Sequence, residues 1–257
     1  MSWFEALIIA IVEGITEFLP ISSTGHMIVT KEILGMQDSE FINMFIVNIQ
    51  FGAILSVVVL YRKRFFKSLV FYYKLFVAFI PAAVFGLLIG DYIDKLLDSA
   101  FIVACSLIIG GVVLLFVDKW FINVHENQEI TYPKAFKIGL FQVIAMIPGV
   151  SRSAATIIGG MVEKLNRQNA AEFSFFLAVP TMFAASAYKL YKGYDALNFD
   201  NVGILIFGNI IAFIVALIAI RSFIYYLTNN GFKIFGWYRI LAGAVIILLI
   251  IAGKIAL

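Results

Sequence analysis

The sequence predicts an all-α integral membrane protein with about six transmembrane helices plus two re-entrant helical hairpins related by an inverted repeat. Three observations lead there. Of 257 residues, 62% are hydrophobic and only 14% charged, with a mean hydropathy of +0.99, outside the usage of soluble domains. Apolar runs of about 20 residues, the length that crosses a hydrocarbon core of roughly 30 Å, recur along the whole chain. Two further apolar stretches are each interrupted by a proline beside clustered hydroxyl residues.

The elements follow in order. The first interrupted stretch, roughly 3–30, carries "LPISSTG" with Pro20, and the second, roughly 135–162, carries "IPGVSRS" with Pro148–Gly149. A proline lacks the N–H that continues a helix, and freed backbone groups at membrane depth survive only where protein or a water-filled cavity satisfies them. Both stretches therefore read as re-entrant hairpins. Full spans are predicted at roughly 41–61, 69–90, 100–117, 173–191, 202–220 and 236–256. No Lys or Arg precedes Lys31, so the positive start of a cleaved signal peptide is missing and the first segment is expected to persist in the mature chain. The single cysteine, Cys105, lies in an apolar run, which excludes an intrachain disulfide and a cysteine metal cluster and reads as core packing.

Loop charge orients the spans. "RKRFFK" carries Arg62, Lys63, Arg64 and Lys67, whereas "DYIDKLLDS" carries Asp91, Asp94 and Asp98 against Lys95. The positive-inside rule makes the first cytoplasmic and the second external. Alternation then places Lys119, Lys134, Lys137, Lys164, Arg167, Arg221, Lys233 and Arg239 inside and "KGYDALNFD" outside. The pattern closes only if each hairpin returns to the side it entered, the first from outside and the second from inside. The net charge of +3 is small and spread among loops, which argues for loop placement and not for a nucleic-acid partner.

The chain reads as a single polytopic membrane domain, 1–257. Its first repeat covers roughly 1–118 with hairpin 3–30, and its second roughly 135–257 with hairpin 135–162. Pro20-Ile-Ser22-Ser23 answers Pro148-Gly-Val-Ser151-Arg-Ser153, and Glu40-Phe41 answers Glu172-Phe173. Opposite entry of the two hairpins makes the repeat an inverted one.

The chemistry-bearing residues gather at the two interruptions. Glu13 and Glu17 are four apart, which puts both carboxylates on one helix face. Charge at membrane depth is costly, so such groups mark sites more often than solvated faces. Ser22, Ser23 and Thr24 follow Pro20, where a second half-helix should begin and where hydroxyls also serve as N-caps. His26 is the one histidine in an apolar segment, and its neighbours favour a general acid or base over simple packing. The other, His125, reads as a loop residue. Arg152 stands mid-segment with Ser151, Ser153 and Thr156. A guanidinium there suits a carboxylate or a phosphate, so a phosphate clamp competes with an ion pair to Glu13 or Glu17. Lys74 and Lys189, near span ends, read as snorkelling side chains, and Asn48, Gln50, Gln142 and Asn209 as interhelical hydrogen bonders.

Two half-helix N-termini meeting near the midplane form an anion site. One Arg and several hydroxyls suit it to phosphate. The paired carboxylates add a divalent cation, and Mg²⁺ or Ca²⁺ fits better than zinc because cysteine ligands are absent and one histidine is near.

At these residues the chain resembles the bacterial undecaprenyl-diphosphate phosphatase family, whose members confer bacitracin resistance. "EGITEFLPISSTGH", Glu13 to His26, is similar to that family's glutamate-rich motif, "PGVSRSAAT", Pro148 to Thr156, to its second motif, and "EFSFFLAVP", Glu172 to Pro180, to a further stretch. The resemblance covers nearly the whole chain; one departure is Ala154, where glycine is more usual. It implies removal of the terminal phosphate of a C55 polyprenyl diphosphate, regenerating a lipid carrier for cell-wall synthesis, in a multi-pass protein of the bacterial inner (plasma) membrane whose site opens to the external side. Carried over by position, Glu13 and Glu17 bind the metal or manage protons and Ser23 is the candidate nucleophile. His26 becomes the acid/base, and Arg152 with Ser22, Thr24, Ser151, Ser153 and Thr156 the phosphate-binding set. Partners are the polyprenyl diphosphate and membrane lipids, with a homodimer as a candidate assembly. Direct attack by Ser23 and attack by a metal-activated water both remain open.

"STGH" and "SRS" also echo an acid-phosphatase-like lipid phosphatase class, but that class needs a second histidine soon after its arginine, and none follows Arg152. The stronger rival is a transporter or flippase for a phosphate-bearing lipid or anion, since broken helices at a midplane anion site are also transporter architecture. A carrier has no need of the Ser23, His26 and glutamate cluster.

Overall fold

Ser2 starts the first helix with a reciprocal cap: its Oγ accepts from the Glu5 N–H at 3.2 Å, and the Glu5 carboxylate accepts from the Ser2 N–H at 2.6 Å. Local signals of this kind bound most elements of the computed structural model, which describes residues 1–37, 39–65, 69–97, 99–121, 124, 126–193 and 199–255. Among the described residues the regular structure is all helix: α1 (Trp3–Thr16), α2 (Ser23–Ile33), α3 (Glu40–Leu60), α4 (Arg62–Phe65), α5 (Leu69–Leu97), α6 (Ala100–Trp120), α7 (Tyr132–Ile144), α8 (Arg152–Val162), α9 (Arg167–Lys192), α10 (Phe199–Asn230) and α11 (Lys233–Ile251). Ser39, Ser99, Thr131 and Asn166 cap α3, α6, α7 and α9 with side-chain oxygens, satisfying first-turn N–H groups that have no helical partner.

Among the described residues six helices are long and apolar enough to cross a membrane: α3, α5 over Leu69–Gly90, α6, α9, α10 over Asn201–Asn230, and α11. These match the six predicted spans, with α9 and α10 extending well past them, and make the chain a multi-pass membrane protein. The interrupted stretches are helix–break–helix units. α1 and α2 have 14 and 11 residues, α7 and α8 have 13 and 11, and the breaks contain Pro20 and Pro148–Gly149. At about 1.5 Å per residue, none of these four crosses roughly 30 Å alone.

The halves exchange partners. α1 packs on α10, α7 packs on α5, and α6 pairs with α11 along its length. The α5–α7 approach is close enough that a Cβ on Gly139 would sit 2.2 Å from the Ala78 carbonyl oxygen, so only glycine fits. The bundle interior is apolar, with Phe18, Phe45, Ile49, Phe173 and Phe175 at or near zero exposure.

Several polar assignments hold and two change. The Asn209 amide donates to Asn48 Oδ1 at 3.1 Å and accepts from the Gly52 N–H at 2.8 Å, and Gln142 donates to Thr181 at 3.1 Å, the interhelical role predicted for such amides. Lys74 pairs with Glu129 at 3.2 Å. Arg221 does not lie in a loop, because α10 continues to Asn230. Arg239 is not a loop charge either: it sits inside α11 with no exposed surface. Charge counting assigned it to a loop because it treats every Lys and Arg near a span end alike. His125, Lys67, Asp98 and 194–198 lie outside the described residues.

Candidate active site

Both breaks end on a serine forced into left-handed backbone. Ser22 has φ 67° and Ser151 has φ 75°, a region that costs a non-glycine residue about 1–3 kcal/mol and persists only where surroundings impose it. Each serine is the N-cap of the next half-helix. The cap Ser151 accepts from the Ala154 N–H at 3.3 Å, whereas Ser22 makes no side-chain capping bond. The start of α2 therefore keeps unpaired N–H donors for an anion.

One side chain fastens the two breaks together. Arg239 donates from Nη1 to the carbonyls of Pro20 at 3.2 Å and Val150 at 2.9 Å. Its Nη2 donates to Gly149 at 2.9 Å and Ser106 at 3.1 Å, and its Nε to Leu107 at 3.3 Å. Five donors meet five carbonyls from α6 and both breaks, leaving the guanidinium's charge without a carboxylate among these partners.

Between the breaks runs a polar chain. Ser23 Oγ donates to Glu17 Oε2 at 2.7 Å, and Arg152 Nη2 donates to Glu17 Oε1 at 3.0 Å. Arg152 is held further by the Ser174 carbonyl at 3.1 Å and lies 5.7 Å from the centre of the Phe18 ring, a cation–π contact. The paired Arg152 and Glu17 also border open space: a cavity of about 210 Å³ is lined by Glu17, Ser22, Ser23, Thr24, Ser151 and Arg152, together with Gln50, Pro148, Gly149, Thr181 and Met182. Six residues chosen from sequence thus meet at one cavity.

Four others stand apart from its lining. Ser153 donates to the Leu19 carbonyl at 2.7 Å and Thr156 to the Arg152 carbonyl at 2.8 Å, both with no exposed surface. Their hydroxyls brace the breaks. Glu13 is fully buried, and neither of its carboxylate oxygens has a hydrogen-bond partner among the described residues. His26 turns both ring nitrogens to other groups: Nδ1 to the Ser22 carbonyl at 2.7 Å and Nε2 to the Tyr238 hydroxyl at 2.7 Å. Sequence reasoning missed Thr181, Met182, Tyr238 and the role of Arg239. An arginine in the middle of "GWYRILAG" and the Pro180-Thr181 pair inside a span were the available signals.

A larger cavity, about 540 Å³, lies elsewhere, among Arg64, Phe71, Lys74, Glu129, Glu172 and Phe176. Its charges close on each other, Arg64 with Glu172 and Lys74 with Glu129, and burial beside Glu172 pushes the Tyr61 phenol up from its ordinary value. It is lined by Glu172, Phe173 and Phe176 of the third similar stretch but by no residue of the two helix breaks, which meet at the smaller cavity.

Comparison with known proteins agrees with the motifs. The family model described as bacitracin resistance protein BacA matches residues 6–245. A protein of Flavobacterium psychrophilum named undecaprenyl-diphosphatase is 60% identical over 252 residues, covering 97% of this chain and 96% of the relative. Like-named proteins of Porphyromonas gingivalis and Aquifex aeolicus are 52% and 48% identical, the first covering 98% of both chains and the second 95% of this chain and 97% of the relative. With both helix breaks inside the matched region, the chain belongs to the bacitracin resistance protein BacA family.

Proposed function

We propose that this chain hydrolyses undecaprenyl diphosphate to undecaprenyl phosphate and inorganic phosphate, recycling the lipid carrier of cell-wall synthesis in the bacterial inner membrane. The observation that carries the reading is the Ser23–Glu17–Arg152 chain set at two helix breaks. The relatives named undecaprenyl-diphosphatase support the substrate.

Glu17 accepts the Ser23 hydroxyl proton in the ground state, so it is placed to take that proton as Ser23 Oγ attacks the terminal phosphorus. The P–O bond to the bridging oxygen breaks, undecaprenyl phosphate leaves, and water then cleaves the phosphoserine to restore Ser23. Arg152 and the free N–H groups at the start of α2 face the charge that develops on the phosphoryl oxygens. Attack by water instead of Ser23 is distinguished by the serine substitution argued below.

The carboxylates also fit a metal. Arg152 serves Glu17, but nothing among the described residues serves Glu13, and a buried carboxylate wants a counter-charge. Among the described residues no group of three His, Cys, Asp or Glu could hold a metal ion, so Mg²⁺ or Ca²⁺ held by Glu13 and Glu17 would need phosphate and water as its other ligands. When bound, such an ion supplies positive charge against the diphosphate.

The hairpins are read as re-entrant units of an inverted repeat. The exchanged packing of α1 on α10 and α7 on α5, and the matching left-handed Ser22 and Ser151, support that reading. With the loop after α3 cytoplasmic, the cavity residues Thr181, Met182 and Ala185 lie about 10–17 Å along α9 from its external end and about 21–27 Å from its cytoplasmic one. The site then opens outward, toward the periplasmic face.

Phosphate release from purified protein in detergent, supplied with a polyprenyl diphosphate, tests the function. Steady release, absent in a Ser23→Ala/Arg152→Ala protein, is the expected result. Transport of the lipid in liposomes without any release would overturn the enzyme reading in favour of a carrier.

A further inference from the structure

The first break poses a problem that the second does not. Ser22 and Ser151 share the same left-handed backbone, φ 67° ψ 99° and φ 75° ψ 115°. Ser151 secures its own conformation through Oγ, which accepts from the Ala154 N–H and meets Ser153 Oγ at 3.1 Å. Both serines line the cavity, but Ser22 has no side-chain capping bond. Something else must hold its peptide.

The carbonyl of Ser22 is gripped by His26 Nδ1 at 2.7 Å. A carbonyl only accepts, so Nδ1 carries the proton. In the neutral ring Nε2 is then a bare acceptor, and at 2.7 Å it takes the hydroxyl hydrogen of Tyr238 on α11. The two rings lie nearly parallel, 2° apart in plane. Four residues beyond Ser151, where the same register would put a histidine, α8 has Ala155. The brace stands at the break whose serine makes no capping bond of its own.

We infer that His26 is a positioning residue: with Tyr238 it forms a strut from α11 to the Ser22 carbonyl, holding the strained peptide so that Ser23 meets Glu17, and it exchanges no proton with substrate. Both of its nitrogens are engaged away from Ser23, and His26 does not line the cavity. The proton of Ser23 already has an acceptor in Glu17 at 2.7 Å. The inference rests on the phosphatase reading for its kinetic arm alone.

The test uses the full-length protein in detergent. His26→Asn keeps an amide N–H where Nδ1–H stands but cannot titrate. A strut predicts that His26→Asn stays within about tenfold of wild-type kcat with the limbs of its pH profile unmoved, whereas a lost acid/base would cost about 100-fold or more and remove a limb. His26→Ala should be severely slowed, and adding Ser22→Gly, which relieves the left-handed strain, should recover part of that loss. A general acid would gain nothing from that second change. A second readout needs no turnover: with ¹⁵N-histidine in a His125→Gln background, His26 should show the Nδ1–H tautomer, and Tyr238→Phe should redistribute it. An Nε2–H tautomer in wild type, or a His26→Asn protein crippled about 100-fold with a missing limb, overturns the strut. Wild-type protein that releases no phosphate would end the phosphatase reading, while the tautomer still decides the strut.

Discussion

The guanidinium of Arg152 and the carboxylate of Glu17, 135 positions apart in sequence, meet at 3.0 Å and join the two helix breaks across the site. Arg152 has three further attachments, to the Ser174 carbonyl, to Met182 Sδ at 3.5 Å and to the face of Phe18. Its planar fork is therefore fixed in orientation, which an ammonium on a flexible stem would not be. Arg152→Lys keeps the charge and loses the fork. Turnover of polyprenyl diphosphate should fall by about 100-fold or more, with a smaller change in melting temperature. Near-normal kcat would mean that the pair is only structural.

Ser23→Ala separates serine attack from water attack. Binding draws on Arg152 and backbone N–H groups, so the variant should still bind the diphosphate while hydrolysis falls by at least about 1,000-fold. Thr24 lines the same cavity, but the hydroxyl bonded to Glu17 is that of Ser23, so Thr24 should tolerate alanine better. Retained hydrolysis in Ser23→Ala would leave water as the nucleophile.

How much of this was written in the sequence varies by kind. The spans were legible because hydropathy and length alone decide them, and the breaks because Pro20 and Pro148 cannot continue a helix. Ser22, Ser23, Thr24, Ser151 and Arg152 were legible because hydroxyls and a guanidinium are out of place in lipid. What stayed hidden is direction. Ser153 and Thr156 share the motif of Arg152, yet their hydroxyls turn to the Leu19 and Arg152 carbonyls, and spacing does not show which way a hydroxyl points on a half-helix whose phase is set by a left-handed serine. Arg239 was hidden for another reason: its partners are backbone carbonyls from 89 to 219 positions away, which leave no side-chain signature.

Arg239 should control stability. Its Nη2 occupies space that a Cβ on Gly110 would enter at 2.2 Å, so Gly110→Ala must displace the guanidinium. Arg239→Met removes all five donors and leaves buried carbonyls of both breaks unpaired, each worth about 1–3 kcal/mol where water cannot reach. Both variants should melt several degrees lower in detergent, Arg239→Met the more so, and hydrolysis should fall with the loss of the break geometry. An unchanged melting curve for Arg239→Met would show that the fastening carries no weight.

Orientation is testable with one cysteine. In a Cys105→Ser background, Lys63→Cys should resist a membrane-impermeant thiol reagent in intact cells and react after permeabilisation, because Lys63 belongs to the exposed basic turn after α3. Labelling from outside would invert the topology and with it the outward opening of the site.

Glu13 is buried with both oxygens unpartnered, one helical turn from Glu17, whose own oxygens are engaged by Ser23 and Arg152. Arg152 bonds to Glu17 and not to Glu13, so an ionised Glu13 would want a counter-charge that a small divalent ion could supply. Chelation should therefore stop hydrolysis, and Mg²⁺ or Ca²⁺ should restore it. A ligand that binds only the folded protein raises its apparent stability with concentration, so adding either ion to chelated wild type should raise the melting temperature, and Glu13→Gln should abolish that rise even where no substrate is present. Glu40→Gln should leave it intact, since Glu40 is exposed at the start of α3. Full turnover after exhaustive chelation, or a Glu13→Gln protein whose melting still responds to the ions as wild type does, would remove the metal from Glu13 and leave that carboxylate to a proton.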